Sequence, residues 1–191
     1  MKITDEYVFF YKDWLSNFQR TKFIWALTFP AKVAGGLEFT STEQAFMYAK
    51  AMFFHDYEIA DQILKTTKPN DARLLGRKVR NYNDKEWDKV RYDIFYSLNL
   101  VKYTQDNNLK QKLLDSQFND KVFVEASPID RIWGVGYDEN RAEYNEHDWG
   151  RNYLGKIITN IRNRIKQNKL DDPNWNIYTY TGTNEEETDE I

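Results

Sequence analysis

The apolar positions of this chain change period along its length, and each change marks an element. Tyr7 to Tyr11 is a short aromatic and β-branched run of strand type. Phe23 to Phe29 repeats that texture until Pro30, which cannot donate to a sheet ladder. Gly35-Gly36 is a turn signal, after which Leu37-Glu38-Phe39 returns as the second arm of a hairpin. Helical spacing follows. Thr40 to Gln44 offers two overlapping capping boxes, Thr40 with Glu43 and Ser41 with Gln44, ahead of a buried helix over Ala45 to Phe54. Tyr57 to Lys65 and, after the breaker Pro69, Asp71 to Val79 read as two further helices.

The longest periodic segment, Asp84 to Tyr103, carries Trp87, Val90, Ile94, Leu98 and Val101 on one stripe and predicts a single helix. Leu109, Leu113 and Leu114 mark a short helix, and Lys121 to Ala126 is a β-type run. The last helix spans Asn152 to Gln167, with Leu154, Ile157, Ile158, Ile161 and Ile165 on its inner face. The expectation is a mainly α chain of the α+β class, with a small β element near its start. One domain covers residues 1–170. An acidic extension follows over 171–191, opening on Asp171-Asp172-Pro173 and solvated over Thr183 to Glu190.

Composition narrows the chemistry. A length of 191 residues with 41% hydrophobic positions supports a substantial core. The 16% aromatic share supplies core bulk and suits a site for planar ligands. With no cysteine, thiol nucleophiles, thiolate zinc sites and disulfides are excluded. A formal charge of −3 argues against wholesale electrostatic binding of nucleic acid. His55 and His147 are not spaced as a metal pair, and neither a phosphate loop nor a Gly-x-Ser-x-Gly elbow is present. No metal and no cofactor are therefore expected, and acid–base work falls to carboxylates. The opening Met1 to Glu6 lacks a leader's basic and apolar pattern, and no apolar run approaches the ~20 residues of a membrane span. The expectation is a cytoplasmic protein without membrane contact.

Four stretches concentrate site chemistry. In Val124 to Gly136, Asp130 can hold or transfer charge, Arg131 can grip an anion, Trp133 can stack on a ring, and Gly134 and Gly136 permit close backbone approach. The plainer account of Asp130 is a turn aspartate bonding its own local amides. Glu43 is either the capping partner of Thr40 or a carboxylate oriented by the helix start. Trp87 is either core or a ring contact that acts with Arg91 one turn later. In Asp148 to Gly155, Arg151 and Asn152 open the last helix, where a phosphate would be favoured; an ordinary Asn152 N-cap competes with that reading.

Taken in order, these motifs resemble one family. Leu15-Ser16-Asn17-Phe18, Phe39 to Ala51, Leu75-Gly76-Arg77, Trp87 with Arg91, Val124 to Pro128 with Asp130 and Trp133-Gly134, and Gly150 to Gly155 are together similar to the NADAR, or YbiA-like, family over roughly Tyr7 to Lys166. The resemblance implies a compact, mainly helical YbiA-like fold and an N-glycosidase. Some members hydrolyse the C–N bond of phosphoribosylamino-pyrimidine intermediates of riboflavin synthesis, and others remove ADP-ribose from guanine. The catalytic residues it implies are Glu43, Asp130 and Trp87. The two acids would flank the anomeric carbon, with Trp87 and Trp133 beside the base. Expected substrate contacts are Asn17, Lys50, Arg91, Arg131, Trp133, Gly134, Arg151 and Asn152, among which Lys50 and the arginines suit phosphate. The partner is then a small phosphorylated ribosyl compound. Nucleic acid enters only under the alternative of an ADP-ribosyl hydrolase, and a non-catalytic ADP-ribose sensor is the alternative from another class. Residues 137–148 depart from the family pattern by lengthening the loop before Gly150.

Overall fold

The computed structural model describes residues 1–26 and 36–179. In chain order its first elements are β1 (Lys2–Ile3), β2 (Tyr7–Phe10), β3 (Phe23–Trp25), β4 (Leu37–Phe39), α1 (Thr42–Phe53), α2 (Tyr57–Lys65) and α3 (Pro69–Gly76). They are followed by α4 (Asp84–Asp88), α5 (Arg91–Gln105), α6 (Asn107–Leu113), β5 (Val122–Glu125) and α7 (Tyr153–Lys166). A 3-10 turn lies at Ser116–Phe118, and a 3-10 stretch kinked at Asn145 lies at Ala142–Asp148. The chain forms two compact units, one of Met1–Ser16 with Gln111–Ile191 and one of Asn17–Lys110. No helix among the described residues is long and apolar enough to cross a membrane.

The first unit is a three-stranded sheet of order β1-β2-β5 backed by α7. The β element therefore extends beyond the start of the chain: β2 pairs in parallel with β5, Tyr7 opposite Val122 and Phe10 opposite Glu125. Phe9, Phe10, Phe123 and Val124 are fully buried. All five residues expected on the inner face of α7 are buried, so the amphipathic reading of that helix holds. Thr159 on α7 also accepts the Phe123 N–H at 2.9 Å, a side-chain bond that fixes the helix to the strand. Beyond α7, Asn160 bonds the Trp175 indole N–H at 2.7 Å and the Asn176 carbonyl at 2.8 Å, so the chain after Leu170 folds back on the helix. The acidic stretch Thr183 to Glu190 lies outside the described residues.

The second unit opens with the expected hairpin, β3 antiparallel to β4 with Phe23 opposite Phe39. Its connection, and the strand extension expected to Phe29, lie outside the described residues. Pro69 is the first residue of α3 and not a breaker ahead of it, because a proline lacks only an N–H that the first turn leaves unbonded anyway.

The single helix expected over Asp84 to Tyr103 is two. Val90, at φ −127° and ψ −18°, leaves helical geometry between α4 and α5. The buried face is accordingly rotated. Arg91, Phe95, Leu98, Asn99 and Lys102 point inward on α5, whereas Val90, Ile94 and Val101 are only half-buried. Phe46 on α1 packs edge-on against Phe95 at 4.6 Å, so aromatic contacts set which face turns in.

Candidate active site

In the second unit the site is built from the first turn of α1. Ser41 Oγ accepts the Gln44 N–H at 3.1 Å, and Gln44 Oε1 in turn accepts the Thr40 N–H at 2.8 Å. The cap is thus made by Ser41 and Gln44. The Glu43 N–H instead donates to the Asn17 carbonyl at 3.1 Å. Glu43 is a carboxylate only 7% exposed at the positive end of a helix. Asn17 itself is 8% exposed, and its Oδ1 has no hydrogen-bond partner. A buried acceptor left open costs free energy unless something binds it.

Lys50 follows Glu43 by two helical turns on the same side of α1. Its ammonium donates to the Gly76 carbonyl at 3.0 Å and lies 3.9 Å from the centre of the Tyr82 ring. Burial pulls its pKa below the ordinary lysine value; Asp84 opposes that shift, Arg91 reinforces it, and Glu43 opposes it. Glu43, Lys50, Asp84 and Arg91 therefore form one electrostatic group.

Two expected site residues of this unit are buried. Arg91 was expected to contact phosphate, but it is buried and its guanidinium is bonded to Asp88 and lies 3.6 Å from Asp84. Its charge is already balanced by acids of α4. Trp87 was expected beside the base, yet it is 3% exposed, with Phe46 at 5.2 Å and Phe53 at 5.6 Å. Its indole backs α1 from within, as the core reading of a helical tryptophan would have it.

In the first unit the loop after β5 carries the second group. Asp130 Oδ1 accepts the N–H groups of both Ile132 and Trp133, at 2.9 and 2.8 Å. The turn reading of Asp130 is therefore correct as local geometry, and these bonds also orient its carboxylate. Arg131 is exposed and grips the Asp148 carboxylate at 3.2 Å, where Tyr137 also donates at 2.5 Å. Those bonds, Tyr137 first and Arg131 second, hold Asp148 below the usual carboxylate range, while Asp148 raises the Arg131 pKa. Residues 137–148 thus close on the loop through their two ends. Trp133 meets Tyr153 edge-on at 5.8 Å, and Arg151 donates to the Tyr153 hydroxyl at 3.0 Å. Gly134 is buried, with its carbonyl accepting the Asn152 N–H at 3.4 Å.

Asn152 lies where β5 meets the start of α7. It sits at the N-cap in left-handed conformation, φ 49°, without capping α7 through its side chain. Its Oδ1 accepts the Glu125 N–H at 3.0 Å and its Nδ2 donates to the Phe123 carbonyl at 3.1 Å. Both polar atoms tie β5 to α7.

Sequence reasoning missed Tyr82, Tyr137 and Asp148. The available signal for Tyr82 was an aromatic residue in a polar interhelical turn, Asn81-Tyr82-Asn83-Asp84, where no apolar stripe demands one. Among the described residues, no group of three or more His, Asp or Glu side chains could hold a metal ion.

Comparison with known proteins concerns the family and the fold. The NADAR domain profile matches residues 9–166. The chain is 36% identical over 172 residues to "N-glycosidase R617" of Acanthamoeba polyphaga mimivirus, covering 86% of this chain and 99% of that protein. It is 30% identical over 114 residues to "Riboflavin biosynthesis protein PYRR, chloroplastic" of Arabidopsis thaliana, covering 56% of this chain and 16% of that protein. The NMR structure of Escherichia coli YbiA shares the fold, with TM-score 0.66 and 23% identity over 89% of this chain and 90% of that one.

Proposed function

The chain belongs to the NADAR domain family, and we propose that it is an N-glycosidase whose substrate is a phosphorylated ribosyl compound of the phosphoribosylamino-pyrimidine kind. The observation that carries this reading is Glu43, a buried carboxylate in the first turn of α1, whose N-cap acceptor is Ser41. The near-complete coverage of the viral N-glycosidase supports the reaction type.

The reaction breaks the C–N bond at the anomeric carbon and forms a C–O bond to water. The proton released by the water is balanced by one delivered to the departing nitrogen. Positive charge builds on the ribose as the bond lengthens, so a carboxylate beside it lowers the barrier, while a second can take or give the proton. We assign these tasks to Glu43 and Asp130. Asp130 offers Oδ2 for the chemistry because Oδ1 is held by two amides. Lys50 is assigned to the substrate's anionic group, with its third N–H donor left over from the Gly76 bond and the Tyr82 ring.

The test is to incubate the protein separately with a phosphoribosylamino-pyrimidine and with DNA carrying ADP-ribosylated guanine. Release of free aminopyrimidine and ribose 5-phosphate supports the proposal. Release of ADP-ribose from DNA would transfer the same carboxylates to the other substrate. Saturable binding without hydrolysis of either would overturn the enzyme reading.

A further inference from the structure

We propose that Tyr82 is a positioning residue for Lys50, fixing the direction of its ammonium toward the anionic part of the substrate. The inference rests on the N-glycosidase reading above, although part of its test does not. Tyr82 lies between α3 and α4, outside every motif that carried the family resemblance. It is 43% exposed, and an exposed tyrosine of that kind ordinarily samples several rotamers. Here it is fixed at three points. Its hydroxyl donates to Asp84 Oδ1 at 2.6 Å, and its ring meets Phe54 edge-on at 5.3 Å. Its face lies under the Lys50 ammonium at 3.9 Å, well inside the range of a cation–π contact.

The second anchor of Lys50 comes from α3. A Cβ on Gly76 would lie 2.1 Å from Met47 Sδ, so glycine lets this helix end approach α1 without displacing the Met47 side chain. That approach brings the Gly76 carbonyl to 3.0 Å from Lys50 Nζ. An ammonium has three donors and no acceptor. The carbonyl takes one and the ring draws a second, so the third acquires a direction. The charged groups that act on Lys50 are Asp84, Glu43 and Arg91. The ring stays neutral beneath them, because burial and then the Asp84 bond push the Tyr82 pKa up to about 12.

The test compares Tyr82→Leu with Tyr82→Phe. In the wild type and in Tyr82→Phe, ring current shifts the Lys50 ε-methylene protons upfield in the NMR spectrum; in Tyr82→Leu they return to the position of a solvated lysine. With the substrate that the wild type hydrolyses, Tyr82→Leu loses about tenfold in kcat/KM, chiefly through KM, and Tyr82→Phe keeps most of it. An unmoved Lys50 signal, or an unaltered kcat/KM, in Tyr82→Leu overturns the proposal. Should Tyr82→Leu fail to fold, Tyr82→Gln removes the ring by another side chain, and an undiminished Lys50 shift there overturns it equally. A wild type that hydrolyses no N-glycoside defeats the proposed function, and the NMR shift alone then decides the placement of Lys50.

Discussion

Glu43 and Asp130 are both oriented carboxylates, and the two units hold them by opposite means. Glu43 rides on a regular helix whose remaining surface is packed: Ala45, Ala49 and Phe46 are buried, and Trp87 lies against Phe46 and Phe53 from behind. Asp130 sits on a loop with little side-chain packing of its own, where Ile129 beside it is 87% exposed. Main-chain bonds take over there. Arg151, Tyr153 and Leu154 N–H groups donate to the carbonyls of Arg131, Ile132 and Trp133 at 2.8, 3.1 and 3.0 Å. A helix satisfies its own backbone and is placed by burying side chains, whereas a loop must borrow backbone partners from the segment beside it. One acid is therefore sensitive to lost volume and the other to added volume.

The largest effect erases the contrast. Glu43→Gln and Asp130→Asn each lower kcat by about 10²- to 10⁴-fold with the fold retained, read by turnover alongside circular dichroism. If either variant turns over at the wild-type rate, that carboxylate has no part in the chemistry. Packing separates the two regions. Trp87→Ala costs about 3–5 kcal/mol in urea unfolding because it empties the aromatic wall behind α1. Added volume is the complementary probe. A Cβ on Gly150 would lie 2.3 Å from the Arg131 carbonyl oxygen, so Gly150→Ala costs about 1–3 kcal/mol and lowers activity through the Asp130 loop. A Gly150→Ala protein with unchanged stability and rate would refute the backbone account.

Acid sharpens the helical side of the comparison further. Asp56 caps α2 and is bonded by Arg80 through both its N–H and its guanidinium. Those bonds, the guanidinium first, hold its carboxyl well below the usual carboxylate range despite burial. A depressed folded-state pKa gives stability that is complete above the unfolded value of about 4 and is lost as pH falls toward the folded one. Thermal melts should therefore decline below about pH 4, and Asp56→Asn, costing about 1–2 kcal/mol at pH 7, should flatten that decline. The smallest effect belongs to the exposed pair of Arg131 and Asp148. Arg131→Gln should leave the melting temperature unmoved, since an exposed ion pair is screened by solvent, and should register only in KM.

Much of this was legible along the chain because helix formation depends on neighbours within one turn. The bounds of α2 match the expected Tyr57 to Lys65, and the inner face of α7 is the expected one, since caps and apolar spacing are local properties. Partnership at long range was decided only in three dimensions. Nothing near Tyr7 names Val122 as its parallel neighbour. Apolar spacing suggested a face for α5, but aromatic packing from α1 chose a different one and turned Arg91 inward. The amide of Asn152 and the ring of Tyr82 found their uses through strand and helix ends brought close by the fold. A side chain's neighbours along the sequence set its conformation, whereas its task depends on which distant backbone arrives beside it.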